Sequence, residues 1–118
     1  LNPTCHHAHP DLMKLADTFV NDSPVKDPWL FYLWGHSFEF DNNNNWYIIE
    51  NFFEKVANKE DIWYATNIQV CDYTNAYKSL QFSADGRTIH NPTSIEIFLR
   101  CDNKVDLRVA PGDTIAVD

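Results

Sequence analysis

The sequence predicts an α/β protein in which βα units with parallel strands are followed by a small antiparallel β tail. Between Trp29 and Leu80 the hydrophobic pattern alternates strand, helix, strand, helix, which is typical of βα units. After Leu80 the period falls to two and turn signals recur, as in antiparallel hairpins. We therefore expect two parts, residues 1–80 with the βα units and residues 81–118 with the antiparallel tail.

Three segments have the hydrophobic period of helices: residues 11–21, 46–58 and 67–80. Their apolar stripes are, in order, Leu12, Leu15, Ala16 and Phe19; Ile49, Phe52, Phe53 and Val56; and Tyr73, Ala76, Tyr77 and Leu80. Thr66 or Asn67 can cap the third helix. Residues 1–10 are predicted to be irregular, because Pro10 disfavours helix at the residue before it.

Two segments of the first part are predicted to be strands. Trp29–Gly35 is apolar on both alternating faces, as in a strand covered on both sides, and Ile62–Ala65 is a shorter apolar run. Between them, residues 37–41 are predicted to lead into a turn and helix-capping cluster, Asn42–Asn45. In the tail we expect four to five strands with turns at Asp85-Gly86, Asp102-Asn103 and Pro111-Gly112, and Ile95, Ile97 and Leu99 on one face.

Composition and charge exclude several classes of protein. With 118 residues, of which 44% are hydrophobic and 14% aromatic, the chain can form the core of one domain and is not a disordered tail. No apolar run is long enough for a membrane-spanning helix. The net charge of −8 disfavours a nucleic-acid partner, since phosphate binding depends on Lys and Arg. Three widely spaced cysteines without a CxxC pair indicate neither a disulfide scaffold nor a zinc ribbon.

His36 is the residue whose position indicates chemistry most directly. It follows the predicted buried strand, and functional side chains of βα proteins collect at the carboxyl ends of strands. An imidazole there suits general acid or base catalysis, and the alternative is a structural histidine. Glu39 and Asp41 in the same segment are candidates for acid–base work or metal binding. The alternative for these carboxylates is that Glu39 anchors the loop and Asp41 caps the next helix.

A second cluster of chemistry-bearing side chains lies near the start of the chain, where Cys5, His6, His7 and His9 offer zinc or nickel ligands. Because neighbouring histidines seldom chelate one ion and the spacing matches no established site, we predict no metal ligands in this chain. The tryptophans have the spacing of core residues. As an alternative, Trp34 or Trp46 forms a wall on which a sugar stacks.

The order of four sequence blocks resembles that of one protein family. The blocks are CHH followed by LMKLADTFV, then WLFYLWGHSFEFD, then NWYIIENFFEKVAN and then KEDIWYATNIQVCDYTNAYKSLQFSADGRTIHNPTSIEIFL. Over nearly the whole chain, this order resembles the C-terminal part of polysaccharide deacetylases, the NodB-like carbohydrate esterase family 4. The resemblance implies a distorted (β/α) barrel, of which this chain supplies the C-terminal βα units and a β tail. It also implies removal of N- or O-acetyl groups from polysaccharides, in many relatives outside the cytoplasm.

The resemblance also assigns roles to residues. In the family, a divalent metal activates water for attack on the acetyl carbonyl, an Asp acts as base, and a late histidine protonates the leaving group. His36 resembles that histidine, and Leu33 the apolar residue beside the acetyl methyl, although one extra residue separates them here. Trp34 and Trp46 are the remaining candidates for substrate contact.

The family's early motifs, which supply the metal ligands, have no counterpart in this sequence. We therefore expect a fragment or processed half that is inactive alone. The expected partners are the N-terminal portion of the same protein, which holds the divalent metal (zinc by expectation), and a polysaccharide or oligosaccharide substrate. Two alternatives from other classes are a carbohydrate-binding or assembly module without catalysis, and an interaction protein that oligomerises through its acidic surface and a sheet edge.

Overall fold

The computed structural model of the chain describes residues 1–22, 27–101 and 106–117. Their secondary structure is mixed α/β, in the order β1 (Cys5–His6), α1 (Leu12–Asn21), β2 (Leu33–Trp34), α2 (Ser37–Asn43), α3 (Tyr47–Val56), α4 (Asn67–Lys78), β3 (Gln81–Phe82), β4 (Thr88–His90), β5 (Ile97–Arg100), β6 (Asp106–Val109) and β7 (Thr114–Ala116). The chain forms two compact units, Leu1–Trp63 and Tyr64–Asp118. The helix α4 thus belongs with the tail strands, whereas the predicted division lay after Leu80.

The first unit is built on a β1–α1–β2 arrangement with parallel strands. Cys5 lies opposite Leu33 and His6 opposite Trp34. A further backbone hydrogen bond, from His7 N to the Trp34 carbonyl at 3.0 Å, extends the pairing beyond β1. Because the strands are parallel, their carboxyl ends meet at one edge, so the residues after His6 and the residues after Trp34 are neighbours.

Helices α1 and α3 cover one face of this strand pair. Their predicted stripes are largely confirmed, since Leu12, Ala16 and Phe52 are buried together with Cys5. Phe53 is the exception, with 58% of its surface exposed. Successive helical residues point about 100° apart, so a helix lying on one layer buries only one of two adjacent phenylalanines.

Four predictions for the first part of the chain are wrong. The stretch 29–35 contains only the two-residue strand β2, whose one strand partner is β1; such a narrow ribbon cannot bury both faces, and Trp29 and Leu30 are each 46% exposed. Residues 1–10 contain β1, and residues 37–43 form helix α2 instead of a loop. Ile62–Ala65 forms no strand.

The second unit packs α4 on antiparallel strands, as predicted for the tail. One sheet has the order β3-β4-β7 and the other pairs β5 with β6. The core comprises Ala76, Leu80, Ile89, Ile97 and Val109. The predicted turn at Asp102-Asn103 lies outside the described residues.

Thr66 caps α4 as predicted. Its side chain and that of Gln69 each accept the other residue's backbone N–H, at 3.4 and 2.8 Å, which is a capping box. Of the predicted stripe, Ala76 and Leu80 are buried, whereas Tyr77 is 51% exposed. The described residues contain sheets of two, three and two strands, none of which closes into a barrel, so the barrel stays a prediction. No described helix has both the length and the apolarity to cross a membrane.

Candidate functional site

The carboxyl ends of β1 and β2 bring three histidines to one place. His6 ends β1 and His7 follows it, while His36 lies two residues after β2. The rings of His6 and His7 are 4.2 Å apart between centroids, and all three side chains approach Glu39 on α2. We call His6, His7, His36 and Glu39 the histidine–glutamate cluster.

A single carboxylate oxygen, Oε2 of Glu39, lies at the centre of the cluster. It lies 2.8 Å from Nε2 of His7, 3.2 Å from Nε2 of His6 and 3.2 Å from Nδ1 of His36. It also accepts the backbone N–H of His36 at 3.0 Å. The hydrogen bond with His7, then that with the His36 backbone, lower the pKa of Glu39 to about 2. The carboxylate is therefore ionised at neutral pH.

His7 forms the buried floor of the cluster, with 4% of its surface exposed. Its ring lies against Phe40, with centroids 4.2 Å apart, and covers Gly35. A Cβ atom at residue 35 would come within 1.9 Å of the His7 ring, and Gly35 has φ +154°, so only glycine fits. Since Nε2 of His7 faces an ionised carboxylate, it carries the proton, and its buried Nδ1 has no hydrogen-bond partner among the described residues.

His36 is the exposed member of the cluster, with 56% of its side chain accessible. Its Nδ1 faces Glu39, so Nε2 is the ring nitrogen left for a substrate. The ring stacks on Phe38 at 5.2 Å and lies 6.1 Å from the ring of Trp34. Both aromatic neighbours are themselves exposed, Phe38 by 58% and Trp34 by 46%. His36 therefore stands at a solvent-facing surface with apolar rings beside it.

The remaining predicted site residues lie at different distances from the cluster. Trp34 adjoins the cluster, because its ring packs edge-on against the His6 ring with the centroids 4.6 Å apart. Leu33 does not adjoin the cluster, since its side chain packs in the core with Cys5 on the other face of β2. Trp46 contacts Phe40 at 5.0 Å and reaches the cluster through that ring. Asp41 lies in α2 and accepts the indole N–H of Trp46 at 2.8 Å, instead of capping α3.

The sequence did not indicate that the early histidines would meet His36. The missing signal was β1, which is only two residues long and carries a cysteine and a histidine instead of branched apolar residues. The position of β1 before α1 could have revealed this strand. In a βαβ unit, a helix that leads into a strand is preceded by another strand, and the two strands are parallel. His6 would then have been assigned to the edge that holds His36.

Three members of the cluster suit a divalent metal. One donor atom each from His6, His36 and Glu39 can be chosen so that all three lie within 4.8 Å of one another. Two imidazoles and a carboxylate are the donor set of many catalytic zinc sites. The side-chain arrangement thus favours metal ligands in this chain, whereas the sequence predicted none.

Comparisons with known proteins yield no match: no family model, no curated protein and no solved structure is similar to this chain. The functional proposal therefore depends on the histidine–glutamate cluster and on the resemblance to polysaccharide deacetylases.

Proposed function

We propose that the chain is the C-terminal part of a metal-dependent polysaccharide deacetylase in which His36 protonates the leaving group. The observation that carries the proposal is the arrangement of His36, whose Nδ1 faces the ionised Glu39 carboxylate while its side chain is 56% exposed. A carboxylate behind one ring nitrogen fixes the ring orientation and leaves the other nitrogen for the substrate.

The chemistry requires such a donor. Hydrolysis of an acetamide or acetate ester breaks the bond between the acetyl carbon and the sugar nitrogen or oxygen. The departing amine or alkoxide is a poor leaving group unless it gains a proton as the bond breaks. Protonated His36 supplies that proton from Nε2, and Glu39 offsets the positive charge on the ring until then. A divalent metal, when bound, lowers the pKa of water and polarises the acetyl carbonyl.

The aromatic side chains beside His36 fit a carbohydrate. Trp34 and Phe38 are both exposed, and their rings lie 6.1 and 5.2 Å from the imidazole between centroids. The C–H faces of a pyranose pack on such rings, while the edges of the sugar remain free for polar contacts. Trp46 lies one ring further away, beyond Phe40, and would contact a neighbouring sugar.

The test is acetate release from acetylated oligosaccharides by the whole protein to which the chain belongs, with zinc present. N-acetylated and O-acetylated substrates are assayed separately. We expect His36→Gln to lower kcat by about 100-fold or more, because general acid catalysis contributes that order of rate. His90→Gln is the matched control, since His90 lies in the second unit, where Nδ1 is 2.9 Å from Oγ1 of Thr114. Full activity in His36→Gln, or no acetate release by the wild type, would refute the proposal.

A second candidate function is carbohydrate binding without turnover, favoured by the exposure of Trp34 and Phe38 together. It predicts affinity for the same oligosaccharides with no acetate release. In that case Trp34→Ala abolishes binding and His36→Ala leaves it unchanged, whereas the deacetylase loses activity in both variants. Calorimetric titration with the oligosaccharide alongside the acetate assay separates the two.

A further inference from the structure

One oxygen of the Glu39 carboxylate, Oε2, has more nitrogen neighbours than it can accept hydrogen bonds from. Its Oε2 lies within 3.2 Å of four nitrogen atoms: the ring nitrogens of His6, His7 and His36 and the backbone nitrogen of His36. One carboxylate oxygen has about two lone pairs. The two shortest contacts, His7 at 2.8 Å and the His36 backbone at 3.0 Å, are its hydrogen bonds, and the second oxygen of the carboxylate brings the lone-pair sites of the group to about four.

The two longer contacts have the spacing of ligands around a metal ion. His6 Nε2 and His36 Nδ1 each lie 3.2 Å from Glu39 Oε2. In a tetrahedral zinc site with bonds of about 2.1 Å, neighbouring ligand atoms are about 3.4 Å apart. We propose that His6, His36 and Glu39 bind a divalent transition metal, with zinc the best match to two imidazoles and a carboxylate.

The surroundings of the three ligands support this assignment. Glu39 and His36 are three residues apart at one helical turn, and His6 joins them from the neighbouring strand, so the backbone brings the donors together before any ion arrives. His7 orients the carboxylate from beneath through its 2.8 Å contact, and hydrogen bonds of this kind fix metal ligands in proteins. The Glu39 carboxylate is also the one acidic side chain of the three, and carboxylate oxygen is a common zinc ligand.

Metal binding has one local cost and leaves one position open. Without a metal, Nδ1 of His6 accepts the N–H of Ala8 at 3.1 Å. A metal on Nε2 moves the ring proton to Nδ1, so this hydrogen bond is lost. Ala8 is exposed, so water can take over that hydrogen bond. The three protein ligands leave the fourth tetrahedral position on the open side, where His36 is 56% exposed. Sites with three protein ligands and an open position are the catalytic type of zinc site.

This inference does not rest on the proposed deacetylase function, and both use the same atom. A metal ion on Nδ1 of His36 replaces the proton that faces Glu39, so the metal-bound ring does not serve as the general acid. Zinc in excess of what the N-terminal portion binds, which would occupy this site, therefore inhibits acetate release, whereas the zinc bound by the N-terminal portion supports it. Failure of metal binding leaves the deacetylase proposal intact, and absence of deacetylation leaves the metal site intact.

The experiment is calorimetric titration of the full chain with zinc alone, repeated with cobalt, whose visible absorption reports tetrahedral geometry. We expect one ion per chain, and at least about tenfold weaker binding in both His36→Ala and His6→Ala. His36→Ala is the decisive variant because its exposed ring contributes little to the core. His9→Ala and His90→Ala are the controls, the first because His9 belongs to the same histidine-rich segment. Circular dichroism of each variant checks that it is folded.

Three outcomes would overturn the site. The first is no binding by the folded wild type. The second is unchanged binding in folded His36→Ala. In the third, His9→Ala weakens binding as much as His36→Ala does, because the ion is then held by the N-terminal histidines in another arrangement. Tetrahedral cobalt absorption that disappears in His36→Ala and persists in His9→Ala supports it.

Discussion

Each unit buries a polar residue, and the two are satisfied to different degrees. Asn91 in the second unit is fully buried, and its side chain donates to the carbonyls of Ile95 and Val109 at 2.8 and 3.0 Å while accepting from the backbone and hydroxyl of Thr93. His7 in the first unit is 4% exposed, yet only one of its ring nitrogens has a hydrogen-bond partner within residues 1–22, 27–101 and 106–117.

This difference indicates where function is located. Buried polar groups in a purely structural role have their hydrogen bonds complete, as Asn91 does. An incomplete set beside a crowded carboxylate is a cost to stability that the fold of the first unit tolerates. Side chains that tolerate such a cost are concentrated at functional sites. The difference therefore supports the proposed functional role of the histidine–glutamate cluster and a scaffolding role for the Asn91 network.

The largest effect expected from this comparison is on the second unit. Asn91→Leu keeps the branched shape of the side chain but leaves two buried carbonyls without a donor, at a cost of about 3 kcal/mol in the free energy of unfolding. Amide hydrogen exchange of β4–β7 measures it. Asn75→Leu, on the exposed side of α4, is the matched control and should change stability little. A cost below about 1 kcal/mol would mean that the Asn91 network is not structural.

An intermediate effect is expected where His7 covers Gly35. Gly35→Ala places a methyl group 1.9 Å from the ring, which must move away from Glu39, at a cost of roughly 1–3 kcal/mol. Gly112→Ala is the control, because Gly112 has φ +76° and open space around it, so it costs only the backbone strain of about 1 kcal/mol. All four tryptophans lie in Leu1–Trp63, so their fluorescence during denaturant unfolding follows the first unit. Amide exchange follows Gly112→Ala, and equal costs would contradict the proposed packing of His7.

The sequence predicted the elements that are regular and long. Helices α1, α3 and α4 were found because ten to twelve residues repeat an apolar stripe. The antiparallel tail was found because its strands alternate around turn residues such as Gly86 and Gly112. Helix α2 was missed because its start depends on Glu39 accepting the His36 N–H, a contact of polar side chains that leaves no hydrophobic period.

The candidate site was half predictable. His36 was identified from its place after a predicted strand, and Trp34 from its neighbourhood. The partner of His36 came from a strand only two residues long, and pairing across 28 positions of sequence, from His6 to Trp34, has no local signature. Leu33 was assigned to substrate from the resemblance, whereas strand alternation directs it to the core side, opposite Trp34.

The smallest effect we predict is the loss of stability when one carboxylate of each unit, Glu39 or Glu96, is replaced, an effect that disappears in acid. The measurements are made with a chelator present. Hydrogen bonding, chiefly with His7, lowers the pKa of Glu39 to about 2. Hydrogen bonding with Arg108 lowers the pKa of Glu96. A depressed folded-state pKa stabilises the protein above the ordinary value of 4.5, and this stabilisation is lost as the pH falls towards 2. Glu39→Gln should therefore lower stability at pH 6 and make no difference at pH 2, by tryptophan fluorescence.

Glu96→Gln should produce the same trend in the second unit, but more weakly. The Arg108 side chain is 68% exposed, so the pair is a surface ion pair, which salt screens and which contributes little. In 1 M sodium chloride the effect of Glu96→Gln should vanish while that of Glu39→Gln persists, because the half-enclosed Glu39 depends on hydrogen bonds from buried His7 and the backbone. If salt abolished both effects equally, the crowded carboxylate of the first unit would be an ordinary surface charge. The contrast between the two units would then rest on Asn91 alone.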